Sequence, residues 1–289
     1  MKRNPSIDSL LAQAAALEAS DRAAAGRLYR DILQQDPACI QASNALERLV
    51  DPGRFSHWMR VNCVIHPDDD IFRFFVNDPH SFNPVRDYLA DGWRTLSELM
   101  VLLERHDRPL LGMSRVLEFA CGFGRFTRHL APLLPGRLTC ADVLPGSVDF
   151  VTEQFGVDGL CSSFDPRSLV FPQRYELIFV LSLFTHLPVA QWRVWLRVLA
   201  GALAPDGLLV LSVHNEGAAA DFGIEFEPDG TFFAPSSESP SLDPAHYGTT
   251  FTTRAVVERE IAGALGRLPD DYRPLAFWVG QDAVVIRRG

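Results

Sequence analysis

The stretch VLEFACGFGRFTRHL, residues Val116 to Leu130, constrains this chain more than any other. Val116 and Leu117 make a short apolar strand that ends at Glu118. Gly122 and Gly124 follow, and neither has a Cβ to obstruct a tight turn or a close ligand. Arg125 to Leu130 then carry a helical spacing, with Phe126 and Leu130 four apart. A strand, a glycine turn and a helix start in this order aim N–H groups at whatever lies over the strand end, which suits a carboxylate or a phosphate.

Two cofactor classes use this device, and the spacing separates them. A dinucleotide site wants G-x-G-x-x-G, but Thr127 stands where the third glycine belongs. Read instead as acidic-x-small-x-Gly-x-Gly, the residues Glu118, Ala120, Gly122 and Gly124 resemble motif I of the class I S-adenosylmethionine (SAM) methyltransferases. The departure is Ala120, where that family more often has glycine; alanine is the smallest substitute. The alternative for this stretch alone is a structural turn with no ligand.

The chain downstream alternates strands and helices, which argues for a parallel sheet covered on both faces. RLTCADV, residues 137–143, is the second strand, and it carries Asp142 24 residues past Glu118. A carboxylate there suits the two ribose hydroxyls of an adenosine, although it could also cap the helix starting near Pro145. A short third strand near 159–163 leads to Phe164 and Asp165; Asp165-Pro166 is also an ordinary turn opener. YELIFVL, residues 175–181, is apolar enough for a central strand and runs into Ser182 and His186 before a helix over 189–203. Ala204 to Gly207 form a turn, and Leu208 to Val213 the fifth strand. His214 follows at its C-terminal end, the edge where open α/β sheets bind ligands.

Residues 216–250 are rich in Gly, Pro, Ser and acidic side chains and read as a long excursion over that edge, a substrate lid. Thr252 or Thr253 caps a helix through Leu265. Strands over 275–279 and 283–287 are joined at Gly280-Gln281.

The resemblance covers residues 113–289, and the order of its motifs is stronger than any one of them. LAPDGLLVLSV resembles the family's signature into strand five. The resemblance implies a Rossmann-like sheet of order 3-2-1-4-5-7-6 with the last strand antiparallel. It implies that Glu118, Ala120, Cys121, Gly122 and Gly124 hold the methionine end of SAM, that Asp142 with Val143 holds the ribose, that Phe164 and Asp165 hold the adenine, and that Ser182 adjoins the cofactor. His186 and His214 are the candidate bases. The competing role for His186 is to cap the helix after it.

Ahead of this domain, residues 1–50 are Ala- and Leu-rich and predict helices over 6–18, 21–35 and 38–50, with Ser20-Asp21 as a cap and Asp36-Pro37 as a break. The run RAAAGRLYRDILQQDPACIQASNAL resembles a tetratricopeptide repeat, with Ala24, Tyr29, Ile32, Leu33 and Ala42 at the pattern positions. One and a half repeats cannot bury a solenoid core, so the segment packs on the main domain or on a protein partner. Residues 51–112 open on the Asp51-Pro52-Gly53 break and carry scattered aromatics, among them Phe55 and Trp58. Asp68 to Asp70 cap a short helix near Ile71, and an amphipathic helix follows over 84–105. Resemblance implies that the 70–95 region covers the cofactor and shapes the substrate side; the alternative for its aromatics is core filling.

A net charge of −9 disfavours nucleic acid and anionic membrane surfaces, and no apolar run is long enough to span a bilayer. The first residues do not read as a signal peptide, because Gln13, Glu18 and Asp21 interrupt the apolar run. Five cysteines with no C-x-x-C pairing fit reduced thiols in a cytoplasm and argue against a metal site. The sequence thus predicts a cytoplasmic SAM-dependent enzyme methylating an oxygen or nitrogen of a small molecule, a sugar or another metabolite. Its alternative is an inactive methyltransferase-like scaffold acting through the N-terminal helices.

Overall fold

A computed structural model describes residues 5–49, 61–237, 239, 241–277 and 280–289. The Asp51-Pro52-Gly53 break, Phe55, Trp58 and the end of the strand expected over 275–279 lie outside the described residues. The chain divides into two compact units, Met1–Trp93 and Arg94–Gly289.

In the first unit, helices α1 (Pro5–Leu17), α2 (Arg22–Gln35) and α3 (Ile40–Arg48) fall within a few residues of the expected spans. Asp21 is the cap of α2, accepting from Ala24 N at 2.9 Å, and Asp36 ends it. Tyr29, Ile32, Ala42 and Leu46 pack into one small core. Asn44 then pins the returning chain by donating to Ile65 O (2.9 Å) and accepting from Ile65 N (3.0 Å). Of the acidic triplet, Asp69 caps α4 (Asp70–Asn77), accepting from Phe72 N at 3.0 Å and from Tyr88 Oη at 2.6 Å. Helix α5 (Pro84–Glu104) follows.

The second unit is built on seven strands: β1 (Val116–Phe119), β2 (Leu138–Asp142), β3 (Asp158–Cys161), β4 (Tyr175–Val180), β5 (Leu203–Val213) and, past a separate pair, β8 (Asp271–Phe277) and β9 (Gln281–Arg287). Their order is β3-β2-β1-β4-β5-β9-β8. Strands β1 to β5 pair in parallel, and β9 runs antiparallel to both β5 and β8. This is the expected 3-2-1-4-5-7-6 sheet with its antiparallel closing strand. Successive side chains of a strand face opposite sides. Leu209, Leu211, Val284 and Ile286 accordingly join one core with Trp192, Trp195 and Leu199 of helix α8 (Val189–Gly201) and Val257 and Ile261 of helix α10 (Arg254–Leu265). Leu208, Val210, Ala283 and Val285 join the other, with Leu99 and Leu103 of α5, Leu130 of helix α6 (Thr127–Leu130) and Val151 of helix α7 (Ser147–Phe155). Helices therefore cover both faces.

Four local readings change. Helix α6 is a single turn, because residues 122–126 stay in the glycine turn. Strand β5 begins at Leu203 rather than after the Ala204–Gly207 turn: Leu203 pairs with Tyr175, and a register shift with Asp206 at φ 56° absorbs the turn inside the strand. The 216–250 excursion is partly ordered. It holds helix α9 (Glu216–Asp221), capped by Asn215, and a two-stranded antiparallel pair, β6 (Thr231–Ala234) and β7 (Thr249–Thr252). Gln281 is not a joining residue; it is the first residue of β9.

Candidate functional site

The C-terminal ends of β1 and β2 are fastened to each other by backbone and side chain. Ala120 N and Cys121 N both donate to Ala141 O, at 2.8 and 3.1 Å. Asp142 closes the arrangement: its Oδ2 accepts from Gly122 N at 2.6 Å and its Oδ1 from Leu144 N at 2.8 Å. The N–H of Gly122, expected to face a ligand, is therefore committed to Asp142. Burial holds the Asp142 carboxyl above its ordinary range, opposed by those backbone donors.

The turn needs left-handed backbone at three places: Ala120 (φ 63°), Gly122 (φ 54°) and Gly124 (φ 80°). At Ala120 this is the physical reason that glycine suits the position. Relieving it outweighs the extra freedom a glycine gives the unfolded chain. Ala120→Gly is expected to raise stability by about 0.5–1 kcal/mol in a urea melt. A Cβ on Gly122 would meet nothing within 4 Å, so open space lies beside the Asp142–Gly122 bond.

Glu118 lies on the floor of this turn, 4 % exposed. Thr127 Oγ1 donates to its Oε2 at 2.8 Å, and Cys140 Sγ lies 3.8 Å from the same oxygen. Burial, opposed by the Thr127 bond and the Arg125 charge, pushes its pKa up to about 8. The folded protein thus holds a proton that the unfolded chain releases above the ordinary 4.5. This contribution to stability is complete below 4.5 and is lost as pH rises through about 8. Glu118→Gln keeps an acceptor for Thr127 and removes the titration. Denaturant melts at pH 5 and pH 9 should differ less in the variant, by roughly 4 kcal/mol.

Ser182 follows β4 in left-handed backbone (φ 62°). His186 is 7 % exposed, and its Nδ1 is 2.7 Å from Gly248 O, with the ring stacked on Tyr247 at 4.5 Å between centroids. It does not cap α8, which starts after Pro188 without a side-chain cap. His214, at the end of β5, repeats the pattern: Nδ1 is 3.1 Å from Thr250 O and the ring stacks on Phe251 at 4.6 Å. A carbonyl can only accept, so each Nδ1 carries the hydrogen and each Nε2 is the acceptor nitrogen when the ring is neutral. Burial, reinforced by the His186 charge and opposed by the Thr250 carbonyl, lowers the His214 pKa to about 4. That ring is neutral at pH 7.

The β6–β7 excursion is therefore fastened to the strand ends as a strap. Besides the two imidazoles, Gly248 N donates to His186 O, Thr250 N to Thr185 O and Thr252 N to His214 O. Past β3, Phe164 is 55 % exposed, while Asp165 accepts from Arg167 N at 3.0 Å and opens the short turn Pro166–Ser168. Val143 is partly buried between Asp142 and Leu144.

The sequence-predicted residues thus fall at the ends of β1 to β5, with Glu118, Ala120, Cys121, Gly122, Gly124 and Asp142 in one bonded cluster. Thr127, Ser212, Tyr247, Phe251 and Gln281 escaped sequence reasoning. Thr127 left a trace as the residue in place of a third glycine, and Gln281 as a polar residue shortly before the apolar run AVVI. The five cysteines are free thiols. Among the described residues no group of three or more His, Cys, Asp or Glu side chains could hold a metal, and no helix is long and apolar enough to cross a membrane.

A glycine turn after β1, a carboxylate at the end of β2 and a sheet completed by an antiparallel seventh strand define an α/β domain of Rossmann-like methyltransferase fold. A family model described as a methyltransferase domain matches residues 116–207. Two solved structures share the fold. One is a SAM-dependent methyltransferase from Clostridium acetobutylicum ATCC 824, at 11 % identity and TM-score 0.52 over 69 % of this chain and 92 % of that one. The other is magnesium protoporphyrin IX methyltransferase from Synechocystis PCC 6803, at 15 % identity and TM-score 0.51 over 76 % of this chain and 94 % of that one. No curated protein matches the sequence. The second unit has the fold of the class I SAM-dependent methyltransferases, and part of it, residues 116–207, matches a methyltransferase-domain model.

Proposed function

We propose that the second unit transfers the methyl group of SAM to an oxygen or nitrogen of a small molecule. One observation carries the reading: the buried Asp142 carboxylate is bonded to the motif I turn at Gly122 N, 2.6 Å, with open space beside it. A nucleoside joined to an amino acid needs those two features side by side. Asp142, with Val143, would accept the ribose hydroxyls, as resemblance implies. Phe164 would lie against the adenine with Asp165 near its amine. The Ala120–Gly124 turn, with Cys121, would hold the methionine end over the Glu118 floor, and Ser182 would border it. SAM supplies an activated methyl on a sulfonium.

The chain's own task is then to align the acceptor, exclude water and take the proton of a hydroxyl or ammonium. His186 and His214, with Nδ1 committed to the strap, present Nε2 as the acceptor nitrogen, and the strap shields them. Bound there, SAM would supply the methyl group, and the acceptor's proton would pass to Nε2 of His186 or His214 or to solvent. The acidic chain does not favour nucleic acid as acceptor. The test is label transfer from methyl-labelled SAM to a panel of small alcohols, phenols, sugars and amines. Transfer to one class fixes the acceptor. Tight binding of S-adenosylhomocysteine (SAH) with no transfer to any of them favours a second reading, a scaffold without turnover. One observation points that way: both imidazoles already bond the strap. In that reading the N-terminal helices would hold a protein partner.

A further inference from the structure

Gln281 is 2 % exposed at the head of β9, and the methyl-transfer reading leaves it without a task. Its amide joins β9 to β5 and to the loop after β4. Ser212 of β5, fully buried, donates its hydroxyl to Gln281 Oε1 at 2.6 Å. That same hydroxyl oxygen accepts from Ser182 N at 2.8 Å. Gln281 Nε2 donates to Ser182 Oγ at 3.0 Å. Ser212 Oγ thus accepts from Ser182 N and donates to Gln281 Oε1, while the Gln281 amide also faces Ser182 Oγ through Nε2 and, at 3.2 Å, through Oε1. Both the backbone N–H and the hydroxyl of Ser182 are held, one through Ser212 and one directly.

What is held is strained. Ser182 is a non-glycine residue at φ 62°, a conformation that persists only where the surroundings impose it. Ser182 O in turn accepts from Thr185 Oγ1 at 2.5 Å, and His186 lies four residues on. The hairpin that carries Gln281 is itself anchored to the end of β5. Asn215 Nδ2 donates to Gly280 O at 3.1 Å and to Asp282 Oδ1, and Asp282 Oδ1 also accepts from Leu275 N at 2.9 Å.

We propose that Gln281 is a positioning residue for the methyl-transfer site: its amide, together with Ser212, sets the left-handed turn at Ser182 and through it the 182–186 loop that carries His186. The role in methyl transfer rests on the function proposed above; the setting of the loop does not. The antiparallel strand β9, between β5 and β8, thus serves the reaction as well as the sheet.

The test uses the full chain and three variants, Gln281→Leu, Ser182→Gly and the double variant. Leucine fills the space of the amide without its hydrogen bonds, and glycine at 182 adopts φ 62° without strain. Three quantities are read: melting temperature, SAH affinity by calorimetry, and the chemical shift of the His186 Cε1–H in the ligand-free protein. Expected for Gln281→Leu are a lower melting temperature, a moved His186 resonance and SAH affinity down about tenfold, the loss of one good hydrogen-bonded contact. In the double variant melting recovers, while the resonance and the affinity do not. A His186 resonance that stays in place in Gln281→Leu, or an affinity that recovers with melting temperature, overturns the proposal. If the wild-type chain binds no SAH, the methyl-transfer reading fails, and the His186 resonance alone decides the loop-setting role.

Discussion

Asp142→Ala is expected to lower SAM and SAH affinity at least a hundredfold and to destabilise the ligand-free protein as well. The carboxylate serves two purposes. In the ligand-free chain it satisfies Gly122 N and Leu144 N, at 2.6 and 2.8 Å. Alanine leaves both donors without their acceptor, at a cost of about 1–3 kcal/mol each where water does not replace it. In the proposed complex it also accepts from the ribose, and hydrogen bonds to a charged group contribute about 1.5–3 kcal/mol each. Two of them correspond to a factor of about 10²–10⁴ in affinity. Asp142→Asn separates these contributions. The amide oxygen can serve one backbone N–H, but the NH₂ group opposes the other. Stability should therefore fall for Asp142→Asn about as far as for Asp142→Ala, with a smaller loss of affinity. Calorimetry on both variants, beside a urea melt of each, checks this. Equal SAH affinity in wild type and Asp142→Ala would remove Asp142 from the cofactor site.

The second large effect is at Gly124. A Cβ there would sit 2.4 Å from Phe155 Cε2 and 3.0 Å from Val151 Cγ1, and φ is 80°. Phe155 and Val151 belong to α7, so the glycine lets that helix close on the turn. Gly124→Ala must displace the Phe155 ring or the helix that carries it, and strain the backbone. The contact stays covered on the other side by Arg128, whose guanidinium lies over the Phe155 ring at 5.1 Å and whose Nε donates to Gly124 O at 3.0 Å. A loss of about 2–5 kcal/mol is expected in urea or thermal unfolding, the sum of overpacking and left-handed strain. Gly122→Ala, with the same kind of φ but open space around its Cβ, should lose only about 0.5–1 kcal/mol, the strain less the chain entropy recovered. A reversed order would mean that strain, not the α7 contact, selects glycine at 124.

What the sequence makes legible follows from what its signals encode. The strands β1, β2, β4 and β5 are short apolar runs closed by acidic, serine or histidine residues, and both periodicity and punctuation survive in the linear chain. Sheet order comes from resemblance, since no local pattern distinguishes a seventh strand that inserts beside the fifth. The helices at 5–17, 22–35 and 84–104 are legible because caps and breakers such as Asp21 and Asp36-Pro37 act locally.

The errors lie where distant residues meet. Gly122 N reads as available to a ligand because nothing nearby suggests that Asp142, 20 residues on, accepts from it. The 216–250 excursion reads as a lid without elements of its own because β6 and β7 are four residues each, and β7 is fastened by its bonds to Thr185 and His214 rather than marked by its own pattern. Ser182 and Gln281 are 99 residues apart, and a serine after a strand has many possible partners. Cys140 reads as a small apolar residue, yet it lies against the Glu118 carboxyl, because an inward-facing acid on β1 is visible only once the register with β2 is known.

Whether this chain holds SAM is the measurement that bears most directly on the account. Isothermal titration of the purified full chain with SAM and with SAH, with NAD as the control, should give micromolar binding of both adenosyl ligands and none of NAD. Absence of binding by either adenosyl ligand in a folded protein, or binding of NAD in their place, would contradict it.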